Sequence, residues 1–144
     1  MKFNGDKTGK LSYEFQKALN HLRRLSLTEK SAFLKDPDKI SSAKYNFIVA
    51  IEAVIDLCNH IIAANMLRTP EDYADTFRVM GEAGVFTQEQ INSLARMAKF
   101  RNRLIHIYWD VDEELLYQYL QNNLDGLEGA FTQLKKIFSR NSSD

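Results

Sequence analysis

The stretch Phe47-Ile48-Val49-Ala50-Ile51-Glu52-Ala53-Val54-Ile55-Asp56-Leu57-Cys58-Asn59-His60-Ile61-Ile62-Ala63-Ala64-Asn65-Met66-Leu67 decides the fold. It contains neither glycine nor proline and lacks the apolar-polar alternation of a half-buried strand. On a helical wheel of about 100° per residue, Phe47, Ile51, Ile55, Cys58 and Ile62 share one arc. Glu52, Asp56, Asn59 and His60 fall on the opposite arc. That polar arc is either a solvated back face or, flanked by the small residues Ala53 and Ala63, the lining of a cleft. It also argues against a membrane span, because two carboxylates in hydrocarbon are costly. Cys58, on the apolar arc, reads as a small core residue. Just upstream, Asp36-Pro37 supplies a capping carboxylate followed by proline at the first helical position, so a long helix is expected from there to about Leu67.

Working outward, no glycine occurs between Gly9 and Gly81, and strand-like alternation is missing throughout. A first helix is expected from about Leu11 to Leu25, with a short helical piece from Thr28 to Leu34. Thr69-Pro70 repeats the cap-proline signal and predicts a short helix to about Glu82, stopped by the Gly81/Gly84 pair. Thr87-Gln88-Glu89-Gln90 has capping-box spacing and opens a helix from Gln88 to near His106. Asp110 to Glu114 ends that helix and caps one final helix carrying Leu115, Leu116, Tyr119, Leu120, Leu127, Phe131, Leu134 and Phe138. The expected fold is therefore all-α, an up-and-down bundle of four main helices with one or two short ones.

The 144 residues suit a single domain, with residues 1–9 and 139–144 expected to be mobile. Hydrophobic residues make up 44% and charged residues 26%, which places the chain among globular proteins rather than disordered ones. Lys plus Arg equals Asp plus Glu at 19 each, so the whole molecule has no net field to draw in nucleic acid or anionic lipid. Any polyanion site must be a local patch. A single cysteine excludes an internal disulfide and any Cys-based zinc site. No signal-peptide-like stretch opens the sequence, and a cytoplasmic, membrane-free protein is expected.

The local patch lies on the helix after Gln88. Between Glu89 and Asp110 there is no acidic residue, while Arg96, Lys99, Arg101, Arg103 and His106 all occur. Ile91, Leu94, Met97, Ala98, Leu104 and Ile105 define its apolar arc, and Arg101 sits near the middle of that arc. A buried guanidinium needs a carboxylate partner, an opening onto a cleft or interface, or an outward path for its head group. Asp56 and Glu52 are the candidate partners. His106 lies about 140° round the helix from Arg101, so the two do not share a face. Acting on one phosphate would require a break in the helix, a reach round it, or a second subunit. Lys99 and Arg103 read either as a solvated face or as phosphate contacts, with Phe100, Tyr108 or Trp109 available for base stacking if exposed. Tyr108, from spacing alone, is an aromatic covering the helix end.

The run Arg101-Asn102-Arg103-Leu104-Ile105-His106-Ile107-Tyr108 resembles the R-x4-H-x-Y motif of the HepT-like toxins, within the HEPN class of ribonucleases. Met97-Ala98-Lys99-Phe100 before it and Trp109-Asp110-Val111-Asp112 after it support the likeness. So do Ala50 to Ile62, similar to the family's long-helix signature, and Thr69 to Phe77 followed by Gly84, similar to its middle segment. The resemblance spans roughly Lys39 to Leu120. It implies a HEPN-like homodimer in which two Arg-His motifs meet across a two-fold cleft. It also implies the toxin of a type VII-like toxin–antitoxin pair, encoded beside an MntA-like nucleotidyltransferase antitoxin that transfers AMP to the motif tyrosine, here Tyr108.

With no carboxylate cluster at metal-ligand spacing and no glycine-rich phosphate loop, metal-independent RNA cleavage fits the residues best, with neither metal nor cofactor expected. The substrate's own 2′-hydroxyl attacks the adjacent phosphorus. His106 suits proton transfer, because an imidazole titrates near neutral pH. Arg101 suits the phosphate, because its planar fork can bind two oxygens as negative charge builds. DNA lacks the attacking hydroxyl and should survive. Asn102 and Asp56 are expected to support the site, Lys99 and Arg103 to bind RNA, and Tyr108 to control access rather than to catalyse. The competing readings are a non-catalytic helical module that binds RNA or nucleotide, or a scaffold partner of a nucleotidyltransferase.

Overall fold

The computed structural model describes the backbone of residues 1–142 and the side chains of residues 1–139. Its elements are α1 (Gly5–Ser26), α2 (Lys30–Leu34), α3 (Pro37–Ala64), α4 (Tyr73–Glu82), α5 (Gln88–His106), a single 3-10 turn (Tyr108–Asp110), α6 (Glu113–Asn122) and α7 (Leu124–Ser142). Among the described residues there is no strand. Four long helices, α1, α3, α5 and α7, form the bundle, and α1 packs along much of α3.

The helix starts follow their caps. Asp36 accepts from the backbone N–H groups of Asp38 and Lys39 with Pro37 in the first turn, as its sequence predicts. Thr87 and Gln90 form a reciprocal capping box at the head of α5. Asp112 accepts from Glu114 and Leu115 and starts α6. Thr69-Pro70, by contrast, opens nothing: α4 begins at Tyr73, because the Asp72 side chain accepts from the Asp75 N–H and takes the cap.

Three further boundaries differ from expectation. Helix α1 starts at Gly5 rather than near Leu11, with Asn4 accepting from the Lys7 N–H. Tertiary contacts to the end of α3 hold this start. The Lys2 N–H donates to Asn65 Oδ1, the Asn65 amide donates to the Lys2 carbonyl, and the Asn4 N–H donates to His60 Nε2 at 2.8 Å. Helix α3 stops at Ala64, with Met66 in the left-handed region at φ 54°. The expected final helix is two helices divided at Asn123, where Gln121-Asn122-Asn123 favours side-chain and cap hydrogen bonding over propagation. Residues 139–142 of the expected tail continue α7, while residues 143–144 lie outside the described residues.

Stacked and edge-on aromatics knit the bundle. Phe15 of α1 stacks on Phe131 of α7 at 4.3 Å between centroids. Phe100 of α5 meets Phe47 of α3 edge-on at 5.5 Å and Tyr119 of α6 at 4.2 Å. Phe100 is buried and immediately precedes Arg101. Its burial, contributing on the order of 2–3 kcal/mol, fixes the rotation of α5 about its axis and with it the direction in which Arg101 leaves the helix. Gly84, at φ 81°, reverses the chain after α4, and the Val85 N–H closes the turn onto the Met80 carbonyl. Helix α3 is long and apolar enough by composition to cross a membrane, yet it is the central core helix, with Phe47, Ala50, Leu57, Cys58 and Ile61 fully enclosed.

Candidate functional site

Arg101 points inward from α5 onto α3, as its place on the apolar arc requires. Its Nε and Nη2 both donate to Glu52 Oε1, at 3.0 and 2.6 Å. Nη1 donates to Asn102 Oδ1 at 3.1 Å, and the guanidinium carbon stands 5.4 Å from the centroid of the Tyr73 ring. Of the two candidate partners Glu52 is the one engaged. Its side chain is 38% exposed and that of Arg101 16%. A guanidinium has five N–H donors, and three are committed here. The two remaining sit on different terminal nitrogens, the arrangement that can meet two phosphate oxygens end-on.

Asp56, one helical turn beyond Glu52, makes no ion pair with Arg101. Loss of hydration and then the negative charge of Glu52 raise its carboxyl above the ordinary aspartate range, against smaller opposing effects from Lys7 and Arg101. With Lys7, Leu11, Asn59, His60 and Ala63 it lines a shallow depression of about 400 Å³ between α1 and α3. The polar arc of the long helix is thus part cleft lining and part structural anchor. Asn59 accepts from Thr76, His60 accepts the Asn4 N–H, and Ala53 is buried rather than at the rim. Burial, then the nearby Lys7 charge, lower the His60 imidazole below its usual value. Cys58 is fully enclosed and burial pushes its thiol far up, which makes it inert as a nucleophile.

His106 is the last residue of α5, exposed, and its side chain makes no hydrogen bond or ion pair with any described residue. The helix does not break between Arg101 and His106. They stand about 7.5 Å apart along the axis and about 140° apart around it, one turned into the molecule and one out of it. Arg96, Lys99 and Arg103 continue the outward face, all exposed and none paired with a carboxylate among the described residues. Asn102 lies on the exposed side, with its amide oxygen turned to Arg101.

Beyond α5 the backbone leaves helical geometry at Ile107 (φ −133°, ψ 44°) and enters the 3-10 turn. Tyr108 therefore lies on that turn and not on a continuation of α5. The residue is 37% exposed, and its ring lies against the Lys44 ammonium, 4.5 Å from the ring centroid. Ile105, Ile107, Tyr108 and Trp109 together leave apolar surface open at this end of the bundle, Trp109 being 81% exposed.

Two neighbours of the site escaped sequence reading. Tyr73 reaches Arg101 from α4, a contact no local pattern encodes. Lys44 carried a signal: with Ile40, Phe47 and Ile51 it falls on the apolar arc of the long helix, the same misplaced charge that singles out Arg101. Among the described residues, no group of three or more His, Cys, Asp or Glu side chains is arranged to hold a metal ion.

Comparison with known proteins matches this architecture. The family described as Ribonuclease HepT-like matches residues 15–134. An mRNA nuclease HepT from Shewanella oneidensis is 28% identical over 105 residues, covering 73% of this chain and 79% of that protein. Among solved structures, a tri-AMPylated Shewanella oneidensis HEPN toxin in complex with its MNT antitoxin superposes with a TM-score of 0.82 at 22% identity, over 90% of this chain and 97% of that one. A toxin–antitoxin complex with AMP-PNP gives 0.80 at 21% identity, over 90% and 98%. The match over most of its length shows that this helical bundle is a chain that belongs to the HepT-like ribonuclease family.

Proposed function

We propose that this chain is a ribonuclease toxin that cleaves RNA without a metal, restrained by a nucleotidyltransferase antitoxin that adds AMP to Tyr108. The observation that carries the reading is the state of the two motif residues. Arg101 is held rigidly by Glu52 and Asn102 with two N–H groups still free, and His106 is unpartnered at the end of the same helix beside the basic stripe of Lys99 and Arg103.

The chemistry follows from those groups. RNA phosphates lie along Lys99 and Arg103, which position the strand without reading its sequence. Arg101 presents its free donors to the scissile phosphate, where they strengthen as charge develops on the oxygens. His106 moves the proton, either from the attacking 2′-hydroxyl or to the leaving 5′-oxygen. The products are a 2′,3′-cyclic phosphate and a free 5′-hydroxyl. Within one chain Arg101 and His106 point apart, so the complete site is assembled by two copies, the open apolar end at Ile105, Ile107 and Trp109 lying beside their junction. Asp56 and Asn102 act through their neighbours, Asn102 by holding Arg101. AMP on Tyr108 adds a bulky anion two residues from His106, blocking the RNA path. The protein acts in the cytoplasm on RNA and spares DNA.

Mixing two inactive variants tests this. Arg101→Ala and His106→Ala homodimers should each lose cleavage. Subunits exchanged between them should recover about a quarter of wild-type rate, since half of random dimers are mixed and each has one intact Arg-His pair of its two. Cleavage retained by either variant alone would overturn the assignment. If the wild type binds RNA through the Lys99-Arg103 face and never cuts it, the chain is a binding module.

A further inference from the structure

Lys44 is a buried ammonium with no counter-charge. It stands on α3 with 7% of its surface exposed, and no carboxylate lies within ion-pairing distance among the described residues. Its Nζ donates to the Tyr108 carbonyl oxygen at 2.8 Å and faces the Tyr108 ring at 4.5 Å. For packing alone this is a poor residue, because a methionine would fill a similar volume without giving up an ion's hydration. A local rule broken without a structural gain points to a functional cause.

The cause lies in the turn it holds. Ile107 is outside helical geometry, and the Asp110 N–H to Ile107 carbonyl bond closes the 3-10 turn. Ile107, Tyr108 and Trp109 are all substantially exposed, so little buried surface ties the turn to the bundle. Among the described residues, Lys44 is the one side chain hydrogen-bonded to it. The ammonium grips one residue twice, by its backbone oxygen and by the face of its ring, which fixes both the position of the turn and the direction in which the phenol projects.

We propose that Lys44 is the positioning residue that presents Tyr108 for nucleotide transfer. This rests on the reading of Tyr108 given above. In the transfer, Tyr108 Oη attacks the α-phosphorus of ATP, and an O–P bond forms. The bond from that phosphorus to the bridging oxygen of pyrophosphate breaks, pyrophosphate leaves, and the phenolic proton passes to solvent. Lys44 forms no bond to the nucleotide. It reduces the number of orientations from which the phenol must find the phosphorus, so its loss falls on turnover and not on ATP binding, which belongs to the transferase.

The test uses Lys44→Met and Lys44→Arg in the full chain, with the partner nucleotidyltransferase and α-³²P-labelled ATP, under initial-rate conditions. Lys44→Met should lower kcat at least tenfold with KM for ATP unchanged, while melting at or above the wild-type temperature. Lys44→Arg, which keeps charge and donors, should recover at least half of kcat. Hydrogen exchange across residues 107–111 should rise in the Met variant and leave α3 and α5 unchanged. If Lys44→Met does not fold, Lys44→Gln carries the same comparison. Labelling of Lys44→Met at the wild-type rate overturns the proposal, and so does a rate loss that simply follows a lower melting temperature. A wild type that takes no label overturns the reading of Tyr108 itself, a different result from equal labelling of wild type and variant.

Discussion

Removing the Glu52 carboxylate exposes how much of the site depends on one ion pair. In Glu52→Ala the Arg101 guanidinium, 16% exposed, loses the acceptor of its Nε and Nη2 donors. The bare Coulomb attraction at such distances is about 5–6 kcal/mol at an effective dielectric constant of 20, most of it offset by the hydration both ions surrender. Breaking a fully buried pair costs about 3–5 kcal/mol and an exposed one about 0.2–1. Glu52, at 38% exposure, is open to solvent screening, so the net loss should be about 2 kcal/mol. For a chain of this length that lowers Tm by roughly 6 °C. The sharper prediction is an asymmetry. Arg101→Met removes the buried cation and keeps the apolar stem, so it should cost less than about 0.5 kcal/mol, and Glu52→Ala on that background should also be nearly neutral. Urea titrations of the four proteins, followed by circular dichroism, measure the cycle. Trp109 is too exposed to report unfolding. A Glu52→Ala cost below about 0.5 kcal/mol, or one undiminished on the Arg101→Met background, would refute the pairing energetics.

Phe100→Ala should destabilise by about 3–5 kcal/mol in the same titrations, because it vacates the contact between Phe47 and Tyr119 that sets the rotation of α5. The His60 imidazole is lowered by folding, so around its ordinary value the unfolded chain binds more protons than the native one. This contribution is complete above about pH 6.5 and is lost on acidification below it. The slope of stability against pH in that window should therefore flatten in His60→Gln. Cys58 is enclosed with its thiol pushed up, and iodoacetamide should leave it unmodified in native protein and alkylate it in urea.

What sequence could reveal here was what is written locally. The Asp36-Pro37 cap and the Thr87-Gln90 box act within one turn of their own residues, and both helix starts fall where those signals stand. Arg101 is legible as a charge among apolar neighbours with α3 carboxylates as its candidate partners, and only the choice of Glu52 over Asp56 depends on packing. The division at Asn123 was hidden because Leu116, Leu120, Leu124, Leu127, Phe131 and Leu134 keep helical spacing straight across it. The early start of α1 was hidden because its anchors, Asn65 and His60, lie far along the chain. Tyr73 over Arg101 and Lys44 under Tyr108 are juxtapositions made by packing. Only the second left a trace, in a lysine on a buried arc.

Arg101 and His106 are proposed to cleave RNA through its own 2′-hydroxyl. The most direct measurement incubates antitoxin-free wild-type and His106→Ala protein with total and transfer RNA in EDTA, then identifies the ends of any fragments. Cleavage is expected from the wild type alone, with 2′,3′-cyclic phosphate and 5′-hydroxyl ends and no cutting of matched DNA. Fragments bearing 5′-phosphates, equal cleavage by His106→Ala, or intact RNA from wild type with unmodified Tyr108 would contradict it.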